Sequence, residues 1–223
     1  METGPLRNKI TFIDSFTDYV ELLCLTETHL DPSVSELRID DFPKLLRKDR
    51  NMFGVGVLIY AKENITISRI LAFESNQDEI MWTKLQCEND IYIYVIYRPQ
   101  WHTNRSGIWD RFHPSLEQAF DITTNIIITG DINYMYDMLQ IINNPFFDIL
   151  SFSNLKNIIS LPTRITETSS KLLDPVIVSD SIQIFFSDVI HVDNDISDHC
   201  ATMVMFNVLK CQQKSYKRKV CVL

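Results

Sequence analysis

Seven residues of this chain carry side chains suited to one chemistry: Glu27, Tyr97, Asp131, Asn133, Asp174, Asp198 and His199. Each borders an apolar run, and four of them are carboxylates. Hard divalent cations such as Mg2+ select carboxylate oxygen and water, usually with only one or two protein carboxylates. A histidine beside an aspartate, with a second carboxylate elsewhere to orient it, suits proton transfer or the stabilisation of a phosphate. The chain has no Gly-x-Ser-x-Gly elbow, no reactive-cysteine signature and no zinc-type ligand spacing. The set therefore favours metal-assisted attack of water on a phosphate ester.

These residues need rigid supports, and the pattern supplies them. Ile126-Ile127-Ile128 reads as a buried strand that runs through Gly130 into Asp131 and Asn133. A buried strand ending in polar groups presents them at a fixed place. Val20–Leu25 reads as another such strand, followed by Glu27. Runs at 65–71, 80–87 and 91–97 are β-rich, and Asn89-Asp90 between the last two signals a hairpin. The third run alternates up to Tyr97, then meets Arg98-Pro99. Short strands are also expected at 54–60, 175–178, 184–190 and 201–206, the last just after Ser197-Asp198-His199. Successive antiparallel strands exclude a pure βαβ wheel.

Helices fill the remainder. Leu6, Ile10, Ile13, Phe16 and Val20 recur at helical spacing, which predicts a helix over 5–20. Trp109, Phe112, Leu116 and Phe120 predict a second, with its regular part after Pro114. Residues 134–160 read as helical or irregular, with Phe146, Phe147, Ile149, Leu150, Phe152 and Leu155 in the core. Lys44 to Phe53 reads as a basic, polar loop whose Arg47, Lys48 and Arg50 could contact phosphates.

Composition sets further bounds. The net charge of −8 argues against a generic nucleic-acid binder. Lys210, Lys214, Lys217, Arg218 and Lys219 concentrate cations in a tail, so the body is more acidic still. An acidic body that handles phosphodiesters needs a metal or a local basic patch to offset repulsion. Five scattered cysteines without CxxC spacing indicate a reducing, intracellular setting. No run is long and apolar enough for a membrane span, so no membrane partner is expected. One domain over 1–207 and a basic tail over 208–223 is the economical division.

Six motifs in order then carry a resemblance: Glu27-Thr28, Tyr97-Arg98-Pro99, Gly130-Asp131-Ile132-Asn133, Pro162-Thr163-Arg164, Leu173-Asp174 and Ser197-Asp198-His199. Together they resemble the endonuclease/exonuclease/phosphatase superfamily. More narrowly, with Leu25 to Pro32, Arg47 to Arg50 and Gly56 to Tyr60, they resemble the endonuclease domain of LINE-type, non-long-terminal-repeat retrotransposons. The resemblance implies a four-layer α/β sandwich of two mostly antiparallel sheets flanked by helices. It implies Glu27 on a Mg2+ ion (Mn2+ as the alternative), with Asp198 a second metal-side or supporting carboxylate. Asp131 would activate water, with Asn133 holding it. His199, oriented by Asp174, and Tyr97 would contact the phosphate, supported by Thr163 and Ser197. Arg47, Lys48, Arg50, Arg98 and Arg164 would face DNA.

The implied activity is nicking of target DNA to prime reverse transcription, in the nucleus and without an organic cofactor. The family opens with a strand bearing an asparagine, whereas here Met1 stands directly before the first helix and Glu2 about where that asparagine would be. The second expectation is accordingly an inactive retroelement fragment that at most binds nucleic acid or protein.

Overall fold

The computed structural model describes residues 13, 17–30, 38–49, 56–99, 105–134, 136, 145–193 and 195–209. Arg50, the basic tail from 210 onward and most of the expected first helix lie outside these, as does the question of a first strand. Residues Thr17–Tyr19 form a single 3-10 turn.

The fold is an α/β sandwich. Its larger sheet takes the order β4 (Ile67–Arg69), β5 (Glu79–Leu85), β6 (Ile91–Tyr97), β7 (Ile126–Asp131), β11 (Val176–Ser179), β8 (Leu155–Asn157). Every pairing in it is antiparallel except β6 with β7, which is parallel. A parallel pair needs a crossover, and the helix Arg105–Phe120 supplies it. The second sheet has the order β1 (Leu22–Leu25), β3 (Val57–Ala61), β2 (Lys44–Lys48). An antiparallel ribbon of β12 (Ile184–Ile190) and β13 (Ala201–Phe206) packs on the same core through Ile184, Val189, Val204 and Phe206. A two-rung ladder, β9 (Arg164–Ile165) with β10 (Ser170–Lys171), completes the strands.

Burial explains the layering. All seven residues of β6 are buried, so both of its faces must be covered. Tyr94 meets Trp82 and Phe112 on the helix side. The alternating residues up to Tyr97 face β3 of the second sheet. The strand β3 is buried throughout as well: Val57, Ile59 and Ala61 join the main core, while Leu58 and Tyr60 join an outer cluster with Ile13, Leu30, Ile39 and Phe42.

Three sequence expectations are corrected. The helix Arg105–Phe120 runs straight through Pro114. An internal proline costs about 3 kcal/mol, but Ile108, Trp109 and Phe112 before it and Leu116 and Ala119 after it are all buried, and their packing outweighs that cost. The basic loop begins as the strand β2, because pairing with buried β3 satisfies its backbone and Leu46 packs on the core. Phe152 ends the helix Pro145–Phe152 and is 88% exposed, so it is not core.

Candidate active site

The site begins where β6 and β7 end together. Their parallel register sets Tyr97 beside Asp131, on the face toward the second sheet. Gly130 makes this possible. Its φ is +119°, and a Cβ there would sit 2.1 Å from the Ile96 carbonyl oxygen. Gly130→Ala is expected to cost at least about 2 kcal/mol, from a disallowed φ and a backbone clash together. A fall in the urea midpoint at unchanged m-value is the expected reading, and an unchanged midpoint would contradict it.

Asp131 is 2% exposed. Both of its oxygens are held by Asn133, whose backbone N–H donates at 2.7 Å and whose Nδ2 donates at 2.8 Å. Asn133 takes φ +45°, a left-handed conformation that asparagine tolerates better than most residues. Burial, then the charge of Asp174, pushes the Asp131 carboxyl well above its ordinary range, against the opposing charge of His199.

A second arm approaches from β9–β10 and the loop before β13. Thr163 is fully buried; its hydroxyl donates to Asp174 Oδ2 at 2.6 Å and accepts the N–H groups of Leu173 and Asp174. The O–H can then point only one way, and the carboxylate is fixed. His199 Nδ1 lies 2.9 Å from the same Asp174 oxygen. The backbone N–H of Cys200 donates to the Thr163 carbonyl, and that of His199 to Ser197 Oγ, which pins the imidazole's own backbone. Burial alone would lower the His199 pKa. The Asp174 hydrogen bond and charge, with the charges of Asp131 and Asp198, outweigh it and push the imidazole up to about 9. At neutral pH the imidazole of the metal-free protein is a cation with a proton on each ring nitrogen.

The third arm is Glu27, just past β1, in a left-handed conformation at φ +53°. The Tyr97 hydroxyl donates to Glu27 Oε1 at 2.6 Å. Burial, that hydrogen bond and the surrounding acids raise the Tyr97 pKa, so the phenol keeps its proton.

Ligand atoms of Asp131, Asp174 and His199 all lie within 4.8 Å of one another, a possible metal-binding group. The donor chemistry fits a hard divalent cation. Two carboxylates crowd a site where burial already disfavours charge, and Glu27 offers a further oxygen beyond the one that Tyr97 holds. Protonated His199 is better suited to donate a hydrogen bond than to ligate.

The structure thus brings together Glu27, Tyr97, Asp131, Asn133, Asp174, His199, Thr163 and Ser197. Asp198 turns toward Arg164, whose Nε donates to Asp198 Oδ2 at 2.8 Å. Burial would raise this carboxyl, but Arg164 and the His199 charge hold it below the ordinary range. Arg98, expected at DNA, is instead 4% exposed and directed inward. Arg47 donates to Asp49, and Lys48 donates to the Ser75 carbonyl beside Glu74. Glu79 was not foreseen as a neighbour of the site. It is buried, pairs across the ladder with Tyr97, and lines a cavity of about 360 Å3 with Arg47, Lys48, Asp49, Arg69 and Asn76. Only the β5–β6 register could have revealed it.

The architecture, an α/β sandwich with its polar residues gathered at strand ends, defines a fold class. No family model matches the chain, and no curated protein sequence matches it. Solved structures do. The endonuclease domain of TRAS1, a telomere-specific non-LTR retrotransposon, superposes with TM-score 0.66 at 14% identity, covering 93% of this chain and 94% of that one. The Xenopus laevis APE2 catalytic domain gives 0.68 at 13% identity over 95% and 92%. An endonuclease/exonuclease/phosphatase family protein from Leptotrichia buccalis gives 0.60 at 14% over 93% and 95%. The chain has the endonuclease/exonuclease/phosphatase fold.

Proposed function

We propose that this protein is a Mg2+-dependent phosphodiester hydrolase that nicks DNA, with the retrotransposon role of priming reverse transcription. The observation that carries the reading is the Asp174–His199 pair, backed by Thr163, with its ligand atoms within 4.8 Å of the Asp131 carboxylate. The likeness to a retrotransposon endonuclease domain supports the narrower role.

Glu27 and Asp131 would hold the cation, which supplies charge neutralisation and a more acidic bound water. Asp131, its carboxyl pKa raised, accepts the proton of the attacking water while Asn133 keeps it in place. The water oxygen bonds to phosphorus as the P–O3′ bond breaks, and the departing O3′ alkoxide takes a proton from solvent, which leaves a 5′-phosphate and a 3′-hydroxyl fit for priming. His199 donates through Nε2–H to a non-bridging oxygen as negative charge develops there. The Tyr97 hydroxyl, protonated, borders the same phosphate. The cavity lined by Glu79, with Arg47 and Lys48 on its wall, would take DNA phosphates, as would Arg50 and Arg164. In this role the protein works in the nucleus.

Purified protein should convert supercoiled plasmid to open circles in Mg2+ and not in EDTA. Folded protein that binds DNA without nicking in Mg2+ or Mn2+ would overturn the hydrolase reading in favour of a binding module.

A further inference from the structure

We propose that Arg98 is a positioning residue that braces the turn presenting Asp131, an inference that rests on the hydrolase reading. Arg98 follows Tyr97 at the end of β6, and its backbone N–H donates to the Asp131 carbonyl at 2.8 Å. Its guanidinium turns into the protein. Nη1 donates to the carbonyl oxygens of Ile132 at 3.3 Å and Asn133 at 3.2 Å.

Those two carbonyls are not arbitrary. The Ile132 carbonyl belongs to the same peptide plane as the Asn133 N–H, and that N–H donates to Asp131 Oδ1. Holding one side of the plane aims the other. The Asn133 carbonyl bond fixes the next plane, and with it the left-handed conformation from which Nδ2 reaches Asp131 Oδ2. The turn is anchored from its far side as well, because Ile132 N–H donates to the Leu173 carbonyl next to Asp174.

An arginine suits this place because its planar, permanently charged guanidinium holds the single Nη1 between both carbonyls in a fixed orientation, which a freely rotating lysine ammonium does not. The two bonds lie at and just beyond the long end of the usual range, so the brace acts by placement rather than by strength. Arg98 would therefore touch neither substrate nor metal, and its removal would change rate rather than affinity.

The test uses the full chain with Arg98→Met and Arg98→Lys. Expected for Arg98→Met is a kcat for plasmid nicking lowered roughly 10- to 100-fold, from misplacement of Asp131. Arg98→Lys should recover part of it. KM for DNA should stay within about threefold, and the salt dependence of DNA binding should not change. A folded variant with wild-type kcat overturns the brace. So does weaker binding with a shallower salt slope, which would make Arg98 a phosphate contact. If the methionine variant does not fold, the lysine variant carries the same criteria.

A wild-type protein that cleaves nothing sinks the hydrolase reading separately. The brace is then read from hydrogen exchange of the Asn133 amide, expected about tenfold faster or more in Arg98→Lys. Unchanged exchange overturns it.

Discussion

Replacing His199 with alanine is expected to lower Mg2+-supported nicking by about 10²–10³ in kcat, with DNA affinity nearly unchanged. The expectation follows from how completely the imidazole is held. Its Nδ1 is fixed 2.9 Å from Asp174, and in the metal-free protein its charge persists to about pH 9. Nε2–H is then a charged donor already aimed when negative charge grows on the phosphate oxygens, so no reorganisation is needed at that moment. The relay behind it makes a second, sharper forecast. Asp174→Asn keeps the shape but removes the charge that holds the proton on His199, so much of the loss should reappear. Because both residues act through one hydrogen bond, the double variant should lose little more than His199→Ala alone. Additive losses would mean that Asp174 acts on the reaction independently, and wild-type kcat in a folded His199→Ala protein would remove His199 from the chemistry.

The site was legible to the extent that local pattern decides position. Ile126 to Ile128 read as a buried strand with Asp131 at its mouth or in a turn, and Asp131 is the last residue of the strand. The alternation from Ile91 to Tyr97 fixed which face Tyr97 would take once either face was known. What local pattern cannot encode is register between distant segments. The parallel pairing that sets Tyr97 against Asp131 depends on a helix crossover, and the position of Glu79 depends on the β5–β6 ladder.

Nor does sequence reveal the direction of a long side chain. Arg98 and Arg164 both read as surface cations, yet one is buried against carbonyls and the other is tied to Asp198. Pro114 misled for a related reason. The rule against proline inside helices is a local energy, and the helix is held by tertiary burial on both sides of that residue. The basic strand β2 hid its structure behind its charges, since two leucines among three cations leave little alternation to read.

The same two groups that would run the chemistry should make the metal-free protein less stable in mild alkali. The His199 pKa is about 9 folded against 6.5 ordinarily. Below pH 6.5 both states carry the proton and the ion pair with Asp174 contributes fully. Between 6.5 and 9 the unfolded chain releases its proton while the folded protein keeps it, so stability falls as pH rises and the contribution is gone above about 9. Asp131 acts with the same sign, because a carboxyl raised by folding favours the folded state only while protonated. Asp198, lowered by folding, has the opposite sign, but its contribution is already complete above its ordinary carboxyl range and stays constant across this window.

The net loss from pH 6.5 to 9 should therefore be on the order of 2–3 kcal/mol, read as a falling urea midpoint in EDTA. His199→Gln should flatten the curve, and a wild-type curve equally flat would refute the ion pair's weight. Mg2+ should act in the opposite direction. Its carboxylate ligands bind best deprotonated, so the gain in midpoint over EDTA should widen as pH rises. A gain independent of pH would place the ion away from Asp131, and no gain at all would remove it from the site, in either case without any appeal to activity.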